Sequence, residues 1–407
     1  MTLDIATERN PRKRDVRLDF FRGLGMFIIL IAHITNNPWT LYIPARFGFS
    51  DATEIFIFCS GMASAIAFGA VFARAGFAHG CFRVVHRIWQ VYWVHIGAFF
   101  LTLVAMLALN KSGYFVRDEV GALNLYPFLK SSGANVIGLF TLTYVPNYFD
   151  ILPMYLVILA LLPLIVALAR LHPAIALATC LGLWLAATFY NLNLPAELWF
   201  SNNSVRQWYF NPFAWQLVFF TGFAFMMDWI PAPPIRKELV IVAAAILLIS
   251  LPFAWHVLIA QSETIRGFRS DWKILIDKTN FGILRYIHFL ALAYLAWVAV
   301  GKDGVRLEQG QVMAVLTPIF TKVGRQSLAV FASSVVLARV LGAILFYYGG
   351  SAFAALCVNL LGFILIYGVA VLMTFAKSEP WKRASKISPP EAAIKTPNPP
   401  PKLVVVN

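Results

Sequence analysis

Apolar stretches long enough to cross the roughly 30 Å hydrocarbon core of a bilayer recur along this chain of 407 residues, and they restrict its fold more than any other feature. Ten can be read: 19–36, 51–73, 88–109, 150–169, 173–190, 212–228, 238–259, 282–301, 326–347 and 352–376. A backbone in hydrocarbon must satisfy its own N–H and C=O groups, so runs of this length are helices. The expected fold is an all-α integral membrane bundle of about ten transmembrane helices. With 60% hydrophobic and 13% charged residues and a mean hydropathy of +0.72, the composition excludes an ordinary soluble domain. A shorter run at 136–146 ends at Pro146 and is too brief to span, which predicts a re-entrant or interfacial segment. The first run follows a basic stretch as a signal peptide would. It carries Asp19 and Arg22, however, and lacks a small-residue cleavage site, so it is expected to be retained.

Orientation follows from Lys and Arg. With the N-terminus cytoplasmic, 21 of the 33 basic residues fall in inside-facing segments and nine in outside-facing ones, although the latter are longer. This positive-inside bias predicts that both termini are cytoplasmic. The remaining three, Arg22, Arg285 and Arg339, fall within apolar runs. The net charge of +14 is thus a topology signal; spread over six loops, it gives no nucleic-acid-binding face. Residues 1–17 read as a basic cytoplasmic segment, 18–376 as one membrane domain, and 377–407, rich in Pro and Lys, as a disordered cytoplasmic tail. The four cysteines show no CxxC and no metal-ligand spacing: Cys59, Cys180 and Cys357 lie in apolar runs and Cys81 in a cytoplasmic loop. No metal and no tightly bound cofactor is expected. Trp39, Trp199, Trp208 and Trp255 fall near outer boundaries and read as interfacial anchors.

An ionisable side chain inside the bilayer is costly and points to function. Arg22 and His33 share the first run, RLDFFRGLGMFIILIAHIT. Eleven helical steps place them about 16 Å apart along the axis, a fixed cation toward one face and a proton-accepting imidazole toward the other. Asp19 lies three residues before Arg22 on the same helix face and can pair with it. Glu54, in DATEIFIFCSGM, is expected one turn below the outer end of the second run, at the depth of His33. There its carboxylate would fix the imidazole tautomer and support the imidazolium that a general base becomes. At the cytoplasmic side, Arg83, His86 and Arg87 of CFRVVHRIWQVYW join Arg12, Lys13, Arg14, Arg17 and Arg22 as a candidate phosphate-binding mouth, since guanidinium pairs bidentately with phosphate. The competing reading is that these residues only set topology. Gly23 and Gly25 are expected to permit close helix approach.

Four blocks of this sequence resemble the membrane acyltransferase-3 superfamily. Arg22 and His33 reproduce its R-x10-H motif. EIFIFCSGM (54–62) is similar to its acidic, FF-x-x-SG second-helix pattern, which contains Ser60. RIWQVYW (87–93) and GRQSLAVF (324–331) are similar to its third-helix and late blocks. The wording of the first and last resembles the OpgC type in particular, and the resemblance runs from about residue 15 to 375. It implies transfer of succinyl groups to osmoregulated periplasmic glucans at the inner membrane of Gram-negative bacteria. Two departures stand out. Arg83 and Arg87 form R-x-x-x-R where the family has R-x-x-R, and Ser333 and Ser334 stand where a late histidine is common.

On this reading succinyl-CoA, the acyl-CoA co-substrate, binds the cytoplasmic mouth with its phosphates near Arg17, Arg22, Arg83 and Arg87. Its arm reaches between the helices to His33, which deprotonates a glucan hydroxyl, directly or by way of an acyl-histidine. A succinyl carboxylate inside the membrane needs a cation. Arg285, followed three residues later by His288, is the first candidate and Arg339 the second. Asp19, Ser60 and His288 are expected to support the site. The alternative is a secondary transporter of a polar or anionic solute, which intramembrane Arg and His residues also suit. Against it, the halves show no inverted repeat. Donor, acceptor hydroxyl and oligomeric state are not fixed by the residues.

Overall fold

A computed structural model describes residues 15–197 and 206–380. Arg12, Lys13, Arg14, Trp199 and the tail from 381 onward lie outside the described residues. Among the described residues the architecture is all-α, with two isolated bridges, Tyr144–Glu197 and Pro195–Gln207, and no strand.

Eleven described helices have fifteen or more residues. We label them α1 (Val16–His33), α2 (Ala52–Arg74), α3 (Phe77–Lys111), α4 (Ile151–Leu171), α5 (Pro173–Phe189) and α6 (Pro212–Met226). There follow α7 (Lys237–Ala254), α8 (Ile283–Val300), α9 (Gln311–Arg325), α10 (Ser327–Tyr347) and α11 (Ala352–Lys377). Each of the ten apolar runs is helical. Seven of the helices (α2, α3, α4, α7, α8, α10 and α11) are long and apolar enough to cross a membrane. The other three runs give the shorter α5 and α6 and the 18-residue α1, which carries Arg17, Asp19 and Arg22.

The structure departs from the sequence reading in two segments. Residues 302–325, expected as a loop, contain α9, which buries Thr317, Thr321, Val323 and Gly324 while leaving Val312 and Val315 exposed. Interspersed Lys322, Arg325 and Pro318 hide its apolar stripe from a search for continuous runs. The cytoplasmic loop expected at 74–87 is mostly helix, because α3 begins at Phe77 and runs 35 residues; Cys81 is therefore helical.

Backbone contact between helices depends on missing side chains. A Cβ on Gly23 would lie 1.9 Å from the Phe320 carbonyl oxygen, and one on Gly324 would lie 1.8 Å from that of Asp19. At α1 and α9 the two chains thus cross at van der Waals range, as small residues allow in membrane bundles. Gly25 has ordinary room and is not part of this crossing. The same device joins α2 to α6, with Gly61 against the Phe219 oxygen and Gly222 against that of Phe58.

Cross-helix contacts define a common depth. Arg22 on α1 meets Ser327 at the start of α10, and twelve residues further along α10 Arg339 meets Thr35. That interval is about 18 Å of helix, and α10 continues for another 12 Å or so to Tyr347, whose ring contacts Phe115. His33, the last residue of α1, therefore lies beside the part of α10 that is about 12 Å short of its end. α1 ends there because Ile34 turns extended, Asn36 adopts φ +58° and Pro38 opens a short 3₁₀ turn.

The segment after α3 runs back along it. Asn110 bonds Asp118, Phe128 packs on Phe99 and Phe100, and the Tyr92 hydroxyl donates to the Phe140 carbonyl. The apolar run expected at 136–146 contributes the end of a nine-residue helix, Ser132–Phe140, to this return path. Trp208 is buried, with its indole N–H donating to the Pro195 carbonyl, so it is not an interfacial anchor.

Candidate functional site

Arg22 lines a cavity of about 220 Å³ at one end of the bundle. α2 contributes Ser60, Ser64 and Phe68, α3 contributes Arg83, His86, Arg87 and Gln90, and α4 contributes Tyr155. Arg83, Arg87 and Gln90 share one helix face by their spacing, so R-x-x-x-R places both guanidiniums on the cavity. The α2 wall includes a π-helical turn, Ala65–Gly69, an irregularity often found at functional sites. Arg22 donates from Nη2 to the Ser327 hydroxyl, while among the described residues its buried Nε has no partner. Five of the expected residues, Arg22, Ser60, Arg83, His86 and Arg87, are thus brought together. Arg17 is not: its guanidinium turns back onto Asp15, which also caps α1. Asp19 accepts from Arg325 rather than from Arg22, because the Gly23–Gly324 crossing brings α9's last turn beside it.

His33, at the other end of α1, is half-buried. Its ring stands edge-on to Tyr148, with centroids 5.5 Å apart, and among the described residues it has no hydrogen-bond partner. The Arg339 guanidinium lies over the same Tyr148 ring, 3.7 Å from the centroid, and Nη1 donates to Thr35. Arg339 is 2% exposed, and its Nη2 is buried without a partner among the described residues.

Glu54 does not serve His33. It is the N3 residue of a capping box: Asp51 caps α2, and the Asp51 backbone N–H donates to Glu54 Oε2 at 2.8 Å. The other oxygen, Oε1, accepts from Arg285 at 2.9 Å (Nε) and 2.5 Å (Nη2). Lys278 bonds Asp51 at 2.5 Å, and Arg285 approaches Asp51 at 3.6 Å. Two carboxylates and two cations therefore form a closed network, which takes up the charge of Arg285. His288 belongs to its edge. Its Nδ1 accepts the Ser50 backbone N–H and contacts the Ser50 hydroxyl at 2.7 Å, while its Nε2 faces Gly48 and has no partner.

Sequence reasoning missed Tyr148, Tyr155, Gln90 and Glu119. Tyr148 has φ +71° in a loop, and no periodicity marks it. The Gln90 and Tyr155 positions follow only from helix packing. Glu119 is 1% exposed, with Arg117 at 3.6 Å and neither carboxylate oxygen hydrogen-bonded among the described residues. Among the described residues, no group of three His, Cys, Asp or Glu side chains could hold a metal ion.

Neither the curated proteins nor the solved structures contain a match to this chain. A family model described as "OpgC protein" matches residues 14–378, an interval that takes in the Arg22 cavity, the His33–Tyr148–Arg339 cluster and the Glu54 network. With nearly the whole bundle inside that match, the chain belongs to the OpgC protein family.

Proposed function

We propose that this protein is an O-acyltransferase of the bacterial inner membrane that moves a succinyl group from cytoplasmic succinyl-CoA to a hydroxyl of a periplasmic glucan. The observation that carries this reading is the layout of α1. One rigid helix bears Arg22 at a cavity with three further basic side chains (Arg83, His86 and Arg87) and, eleven residues on, a histidine whose ring nitrogens have no hydrogen-bond partner among the described residues. The cavity supplies guanidinium donors for the phosphates of the donor. Its pantetheine arm extends between the helices and brings the thioester to His33.

His33 takes the proton of the acceptor hydroxyl. The oxygen attacks the thioester carbonyl, the new C–O bond forms as the C–S bond breaks, and the thiolate leaves with the proton returned from the imidazolium. Tyr148 holds the imidazole by its ring edge, the orienting role expected of Glu54 at first. Family membership supports the acyl-transfer class.

The test uses full-length protein purified in detergent, with succinyl-CoA and a periplasmic-type glucan and without a membrane gradient. Free CoA and a glucan ester, read by mass spectrometry, are the expected products. Gradient-driven solute uptake by reconstituted protein, with no ester formed, would instead establish a transporter.

A further inference from the structure

Three arginines lie within the apolar runs, Arg285 and Arg339 buried and Arg22 half-buried, and they differ in what remains unsatisfied. Arg285 spends its charge on Glu54 and Asp51. Arg22 keeps a free Nε, but at the phosphate cavity. Arg339 keeps a free Nη2 beside the histidine, with one neutral hydroxyl and one aromatic face as its partners. A buried cationic N–H without an acceptor costs free energy in the empty protein and is repaid when an anion arrives.

We propose that Arg339 recognises the distal carboxylate of a dicarboxylic acyl donor and holds it over Tyr148 beside His33; the proposal rests on the acyl-transfer reading above. The distances suit a short diacid. Both His33 and the Arg339 guanidinium contact the Tyr148 ring, so the guanidinium carbon lies within about 9 Å of the imidazole centre. Two methylenes place a carboxylate about 4 Å from the thioester carbon by ordinary bond lengths. A hydroxyl bonded to the imidazole adds about 3 Å on the other side. A four-carbon diacyl chain bridges the gap, and a neutral chain of equal length leaves Nη2 unpaired.

Glu119 completes the arrangement. Burial pushes its carboxyl up from the usual carboxylate range, against the fields of Arg117 and then Arg339. It feels the field of Arg339, yet among the described residues it makes no hydrogen bond to it. Glu119 offsets the cation at a distance and, among the described residues, leaves Nη2 unpaired, in contrast to Glu54 on Arg285.

The experiment measures equilibrium binding of succinyl-CoA and butyryl-CoA, matched in length and differing in the carboxylate, to the full-length protein in detergent. Wild type should prefer succinyl-CoA by about tenfold or more, the worth of a charge-assisted pair. Arg339→Gln should bring the ratio close to one. Should that variant not fold, Arg339→Lys, which keeps charge and loses the fork, must cut the preference at least about threefold. A wild type without preference, or a preference that survives either substitution, overturns the proposal. A preference abolished by Arg339→Gln in a protein that forms no glucan ester would leave Arg339 as the carboxylate site and remove the transferase reading. Ester formation with a preference indifferent to Arg339 would do the reverse.

Discussion

Arg285 and Arg339 are both buried arginines on long helices, within reach of the same histidine-bearing region, yet their surroundings are opposite. Around Arg285 every formal charge has a partner: Glu54 gives one oxygen to the guanidinium and one to its own helix cap, and Asp51 takes Lys278. Around Arg339 the partners are a threonine hydroxyl and a tyrosine face, and an N–H is left over. A closed ion network fixes geometry, here the entry of α2 against α8, and has little left for a ligand. An open one costs stability in the empty state and gains it on binding. Charge inside a membrane therefore marks function only after its partners are counted.

The largest expected effect is at the open side. His33→Ala should lower single-turnover acyl transfer about 10²- to 10⁴-fold, the usual worth of a general base, while the protein stays folded. Wild-type turnover in that variant would remove the reason for assigning chemistry to this region. Next comes stability. Arg285→Ala strands Glu54 in the interior, while Asp51 keeps Lys278, and should cost about 3–5 kcal/mol, as breaking a buried ion pair does. Arg339→Ala strands no hydrogen-bonded carboxylate and should cost clearly less. Equal losses in thermal or denaturant unfolding would collapse the distinction between the two sites.

Arg22→Ala tests whether the cavity end serves the donor. The KM for acyl-CoA should rise about tenfold or more, on the scale of a lost charged hydrogen bond, with the glucan KM unchanged. A rise confined to the glucan would move the donor elsewhere. The smallest effect is expected of Glu119→Gln. Removing a competing charge that makes no direct bond should tighten succinyl-CoA binding only about two- to fivefold, in the range of a weak ion pair. Weaker binding would show that Glu119 supports the carboxylate rather than competing with it.

The helices were legible because hydrocarbon leaves the backbone few options, and all ten apolar runs became helices. α9 was not, since its apolar residues are spaced around one face and broken by Lys322 and Pro318. At the cavity, the grouping of Arg83 and Arg87 with Arg22 was legible from the charge at the start of the third run, whereas the face that the two share is seen only in the folded helix. The pairing of Glu54 with His33 failed for a local reason. The sequence Asp51-Ala-Thr-Glu54 is a capping box, and a carboxylate used at a helix start is held by its own backbone. Depth alone cannot reveal that. Tyr148 and Glu119 come from the return path along α3, where loop conformation and not periodicity decides what meets α1 and α10.

That Arg22 and His33 ride on one helix has a consequence for how substrate length is chosen. Gly23 and Gly324 seat that helix directly on the backbone of α9, with no space for a methyl group at either. The interval from Arg22 to His33 is set by α1 itself and is a fixed ruler of about 16 Å. A carrier that grips one end must have an arm of matching reach to present its cargo at the other. Donors truncated to a short thiol would arrive at His33 unanchored, and over-long acyl chains would carry their reactive carbon past it.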